Sequence, residues 1–220
     1  LFLLGVLGPS NLLPTDPVFG GVALGVALAL ISIGLLMSTL HLKHPERAWR
    51  AVSQWRSSWL AREGVAALFT YAPALVFAAG WVGLGRTDGV YAVAGWLAAL
   101  GSVVTVTCTG KIYASLRAVR PWHHRLVVPV YLAFALASGA VWLAALLAIA
   151  GAPAGLAVGL AIVAGLVAWG LKGVHWRNLD RARPASTART ATGLNGSVRP
   201  FDPPHTEENY LSREFARHLD

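Results

Sequence analysis

One short stretch, Ser38 to Glu63, brings together an imidazole, a guanidinium and a carboxylate between two long apolar runs. His41 closes the first run, Glu63 stands near the start of the second, and Arg47 lies in the basic, tryptophan-rich connection between them. Antiparallel neighbouring helices would set all three at similar depth, near one membrane surface. An imidazole hydrogen-bonds a polar head group and accepts a proton near neutral pH. A carboxylate relays a second proton, and a guanidinium steadies oxygen that is gaining negative charge. A lipid-soluble quinol loses two protons with two electrons, so this trio suits quinone chemistry at the membrane boundary, with His41, Arg47 and Glu63 as both catalytic and quinone-binding residues. Plainer roles compete with this one. An interfacial histidine is satisfied by backbone or water, and Glu63 has Arg62, Arg56 and Arg47 as candidate salt-bridge partners.

The elements that must position these residues follow from composition. Of 220 residues 55% are hydrophobic and 13% charged, against roughly 25% charged in a soluble domain. The chain reads as an all-α integral membrane protein, a bundle of transmembrane helices. Five complete spans are expected, at about Pro17 to Leu40, Trp59 to Leu84, Val90 to Leu116, Leu126 to Ala150 and Pro153 to Val174. Each is long enough for the ~30 Å hydrocarbon core at ~1.5 Å per residue. Leu1 to Leu7 resembles the tail of a further helix, an N-terminal stub. Residues 1–175 are thus expected to form the helix bundle, and 176–220 a polar, basic tail leading toward another helix. Residues 177–199 lack apolar periodicity.

Finer patterns lie within that frame. Pro45 and Glu46 suit a helix start, and Ala48, Val52, Trp55 and Trp59 then follow helical spacing, which predicts an amphipathic helix in the interface. Gly21 with Gly25, and Gly151, Gly155 and Gly159, keep four-residue intervals that favour close helix packing in lipid. Thr107, Cys108, Lys111 and Ser115 put a small and polar stripe on one face of the third span. Lys111 is read chiefly as a snorkelling residue.

Charge sets the orientation. Lys43, Arg47, Arg50 and Arg56 lie in the first connection, Arg117, Arg120 and Arg125 in the third, and Lys172, Arg177, Arg181 and Arg183 around the end of the last span. The intervening turns carry Arg86 or no basic residue. By the positive-inside rule, the His41/Glu63 face is cytoplasmic and the chain is a multi-pass protein of a bacterial inner membrane.

Several function classes recede on the same observations. The net charge of +8 sits between apolar runs, which suits headgroups rather than nucleic acid. The lone Cys108 supplies no cysteine-ligated zinc or iron–sulfur site, so no metal site is expected in this chain. Histidines fall at span ends, in connections or in the tail, so no intrinsic haem is expected. Polar groups near mid-membrane, which a transporter would use, are also not apparent.

Ser38-Thr-Leu-His-Leu, Pro45, Arg47-Ala-Trp and Ser58-Trp-Leu-Ala-Arg-Glu63, followed by Ile112-Tyr-Ala-Ser-Leu and Pro121-Trp-His, resemble the DmsC family, the membrane anchors of dimethyl sulfoxide reductase-type molybdoenzyme complexes. The resemblance covers roughly Pro17 to Val174. It implies an eight-helix anchor that binds menaquinol or another quinone such as ubiquinone. Electrons would pass to an iron–sulfur subunit attached to a molybdenum catalytic subunit, so that iron–sulfur clusters and molybdopterin belong to partners. The family's quinol-site histidine and glutamate match His41 and Glu63, and its nearby arginine matches Arg47. Two departures stand out: five complete spans and a stub rather than eight, and charges that turn the matching face inward. The second suits the related cytoplasm-facing sulfite-oxidising complexes, which would reduce quinone. The expected function is therefore a quinone-reactive anchor subunit of a molybdenum oxidoreductase, with a purely structural anchor without quinone chemistry as the alternative.

Overall fold

A computed structural model describes residues 1–40, 45–47, 49–181 and 188–196. The described residues form helices α1 (Phe2–Leu7), α2 (Pro17–Leu40), α3 (Trp49–Ser53), α4 (Trp59–Ala78), α5 (Gly89–Ala114), α6 (Val127–Ile149), α7 (Gly155–Arg181) and α8 (Ala188–Thr192), with no strand among them. Five, namely α2 and α4 to α7, are long and apolar enough to cross a membrane. The transmembrane bundle expected from the sequence is therefore the fold. Leu1–Asp180 forms one compact unit, and α8 lies in a second.

Local chemistry explains where the helices start. Pro17 takes the first position of α2 and the Asp16 carboxylate accepts the Phe19 N–H at 2.9 Å. Ser58 Oγ accepts the Ala61 N–H at 3.3 Å at the start of α4. The far end of α4 widens into a π-turn, Ala79–Gly83, and the chain reverses through Gly85 at φ 62°. There the Arg86 Nε donates to Asp88 Oδ1 at 3.0 Å, and that hydrogen bond holds the Asp88 carboxyl below its ordinary range. The last span outlasts its apolar run. The sequence closes it near Val174, but α7 continues to Arg181, with Lys172 Nζ 5.3 Å from the Trp176 ring centre. Polar residues there suit a helix rising out of the hydrocarbon layer.

The packing centre sits away from the basic connections. Trp81 and Phe77 are fully buried, with ring centroids 5.3 Å apart, and Phe19 lies 6.1 Å from Trp81. Leu4 and Leu7 of α1, Leu24 of α2, Leu143 and Leu147 of α6 and Ala157 of α7 complete this core. α4 and α5 make the most extensive helix pair. They approach closely at Gly101, where an added Cβ would meet the Thr70 side chain, and α1 crosses α5 where a Cβ on Gly5 would meet the Gly95 carbonyl.

Among the described residues, the glycine intervals expected to mark close packing do not do so. A Cβ on Gly21 would make only ordinary contact with Val82, and Gly25, Gly151, Gly155 and Gly159 face open space. Spacing finds a smooth helix face, whereas contact depends on which neighbour lies across it. The amphipathic interfacial helix is also shorter than expected. A 3₁₀ turn, Pro45–Arg47, and the five-residue α3 precede turns that lead to Trp59. Trp49, Val52 and Trp55 remain exposed, as apolar side chains at headgroup depth do.

Candidate functional site

Glu63 occupies the second turn of α4 and is half-buried. The neighbouring helix supplies its partner: Thr109 Oγ1 of α5 donates to Glu63 Oε1 at 2.5 Å. The same threonine hydroxyl also lies 3.1 Å from the Thr105 carbonyl. A hydroxyl has one proton, and the shorter contact falls in the range of a charge-assisted O–H···O⁻ bond. The proton therefore goes to the carboxylate. The arrangement serves the other protonation state equally well, because a protonated Glu63 donates to Thr109, which then donates to the Thr105 carbonyl. Both states of the carboxyl group leave every hydroxyl satisfied.

The arginine beside it is committed elsewhere. Arg62 Nε donates to the Trp55 carbonyl at 2.9 Å and a terminal nitrogen donates to the Arg56 carbonyl at 2.7 Å. Its guanidinium also lies 4.2 Å from the centre of the Trp59 ring, and Lys111 Nζ lies 5.8 Å from the same ring. Lys111 is exposed, which fits the snorkelling role. Among the described residues Glu63 has no ion pair, so the salt bridge with Arg62, Arg56 or Arg47 does not form within them.

The other two members of the expected trio are placed less directly. His41 lies outside the described residues. Arg47 is exposed and its Nε lies 3.8 Å from Glu46 Oε1. The structure thus sets Arg47 on the solvent side of the connection with Glu46 as a charged neighbour, and it shows no contact between Arg47 and Glu63.

A second group of polar residues gathers where α5 ends, α6 begins and α7 leaves the bilayer. A cavity of about 190 Å³ is lined by Tyr113, Trp122, Tyr131, Lys172 and His175. Tyr113 stacks on Tyr131 at 5.6 Å and meets Trp122 edge-on at 5.3 Å. His175 is 5% exposed, and its Nδ1 lies 3.2 Å from Nδ1 of His124. Tyr113 follows Thr109 by one helical turn on α5, so the cavity and the carboxylate site share a face of that helix. Among the described residues no three His, Cys, Asp or Glu side chains gather as a metal site would require.

Sequence reading misses Thr109 and the His124–His175 pair. Thr109 is detectable as a hydroxyl one turn above Thr105 and one below Tyr113, but the stripe at Thr107, Cys108, Lys111 and Ser115 draws attention to a different face. Only the fold joins His124 to His175.

A bundle of five helices long and apolar enough to cross a membrane defines the class as a multi-pass membrane protein. A family model, DMSO reductase anchor subunit (DmsC), matches residues 21–200, and the chain belongs to that family. It is also 35% identical over 204 residues to a sulfite dehydrogenase subunit of Allochromatium vinosum, a match covering 86% of this chain and 62% of that relative. The chain therefore spans less than two thirds of the relative's length. No solved structure matches it.

Proposed function

We propose that this chain is the membrane anchor of a molybdenum oxidoreductase complex and exchanges electrons between a quinone and an iron–sulfur subunit, sulfite oxidation with quinone reduction being the favoured direction. Support for the sulfite direction comes from the likeness to a sulfite dehydrogenase subunit and from the basic connections, which under the positive-inside rule favour a cytoplasmic Glu63 face. The iron–sulfur and molybdenum centres belong to the partner subunits.

One observation carries the quinone reading: among the described residues, a carboxylate at the membrane boundary is held by a hydroxyl and has no ion pair. A structural ion pair would have used one of the neighbouring arginines. A group that must gain and lose a proton is better served by Thr109, which accommodates both states. Ionisable groups within spanning helices usually face protein or water-filled space, and half-buried Glu63 does so. In this reading Glu63 takes or gives one proton, His41 contacts the ring oxygen as its second acid–base group, and Arg47 steadies negative charge at the surface. The apolar outer faces of α2 and α6 meet lipid.

The test is to introduce Glu63→Gln and His41→Ala separately into the assembled complex. Quinone-coupled turnover should fall by about 100-fold or more, while the partner subunits still co-purify and exchange electrons with a soluble dye. Full quinone turnover in both variants would falsify the assignment.

A further inference from the structure

The cavity where α5, α6 and α7 meet holds a second acid–base pair, buried His175 beside half-buried His124. Hydrogen-bond chemistry fixes the tautomers of that pair. The Leu126 N–H can only donate, and it lies 3.2 Å from His124 Nδ1. That nitrogen is therefore an acceptor, and the neutral His124 ring carries its hydrogen on Nε2. His175 Nδ1 faces the same acceptor at 3.2 Å. Two lone pairs would repel, so His175 Nδ1 carries hydrogen and donates. A neutral His175 consequently has its lone pair on Nε2, and this ring is the one that lines the cavity.

Size and lining restrict the occupant. A cavity near 150 Å³ admits benzene, so about 190 Å³ accepts one ring but no long isoprenoid tail. Tyr113, Trp122 and Tyr131 offer flat apolar walls. Half-buried Lys172 and the tyrosine hydroxyls offer donors for carbonyl oxygens. The charged and titratable groups facing the histidine pair are Lys172 on α7, Tyr113 on α5 and Tyr131 on α6.

We propose that this cavity holds the quinoid ring of the redox lipid and that the His175–His124 pair exchanges one of its protons with water. The inference rests on the quinone reading of Glu63, extends it to the place of the ring, and gives the second acid–base role to the histidine pair in place of His41. When a quinol is oxidised, one ring O–H bond breaks and its proton passes to His175 Nε2. The histidine pair takes up that proton as a unit and returns it to water at half-buried His124. The second O–H proton goes to Glu63, and the two electrons leave singly to an iron–sulfur carrier of the partner subunit. Quinone reduction is the same sequence reversed, with both protons taken from water.

Photolabelling and kinetics of the complex test the idea together. A short-tailed azido-1,4-benzoquinone should label Tyr113, Trp122 or Tyr131, and excess unlabelled quinone should displace it. Displaceable label confined to residues 41–63 would overturn the cavity assignment and leave the Glu63 reading standing. An absence of displaceable label anywhere would overturn both. His175→Gln should lower quinone turnover about tenfold or more, and His124→Gln, at a position less buried and less prone to disturb folding, should alter the pH dependence of that turnover. Unchanged turnover in His175→Gln, or an unchanged pH profile in His124→Gln, counts against the relay, provided the partner subunits co-purify.

Discussion

Replacing Thr109 with valine isolates the hydroxyl that holds Glu63. Threonine and valine have nearly the same shape, so packing between α4 and α5 is preserved while the 2.5 Å donor to Oε1 is removed. Hydrogen bonds to charged groups contribute about 1.5–3 kcal/mol, and a factor of ten corresponds to roughly 1.4 kcal/mol. If turnover depends on Glu63 being held in place, it should fall by about 10- to 100-fold. The assay is quinone-coupled turnover of the complex in membranes, with dye-coupled activity as the control for the soluble subunits. Thr109→Ser retains the hydroxyl and should recover most of the loss. Turnover in Thr109→Val equal to that of the parent would refute the role of the hydroxyl. A serine variant as poor as the valine one would show that the methyl group, and hence packing, is what matters.

Packing and pH give two further predictions. Gly5→Ala drives a Cβ into the Gly95 carbonyl, whereas Gly159→Ala meets nothing among the described residues. The first should destabilise by about 1–3 kcal/mol and the second should be neutral or slightly stabilising, as read by thermal unfolding in detergent; equal effects would contradict the α1–α5 crossing. The Asp88 carboxyl is lowered by its hydrogen bond from Arg86, so its contribution is present above the unfolded value near 3.9 and is lost as pH falls through the folded one. The pair is exposed, so Arg86→Ala should lower Tm at pH 7 by about 2 °C at most, with the difference vanishing near pH 2–3. A larger loss, or one that grows in acid, would contradict this account.

Much of the bundle was legible because the bilayer imposes a length and an apolar composition on each span. Pro17 and Leu40 bound α2 as expected, and Trp59 opens α4. Glu63 was legible for the same reason, since a carboxylate inside an apolar run stands out. Its partner was not, because periodicity along α5 marks several faces equally well, and only the neighbour across the gap selects one. Gly101 against Thr70 and Thr109 against Glu63 show which face that is. Depth alone suggests Arg47 for the site of Glu63, and the structure adds that its Nε lies 3.8 Å from Glu46 Oε1. His124 and His175 are far apart in sequence, and nothing local to either foretells their meeting.

Arg62 gives the first connection a mechanical property. Its side chain is fastened to the carbonyls of residues 55 and 56, while its backbone belongs to the same helical turn as Glu63. A pull on the strap from Trp55 to Ser58 is therefore delivered to the base of the carboxylate without passing through a flexible joint. Trp55 and Arg56 are exposed on that strap, so a load placed on them reaches the turn of α4 that carries Glu63.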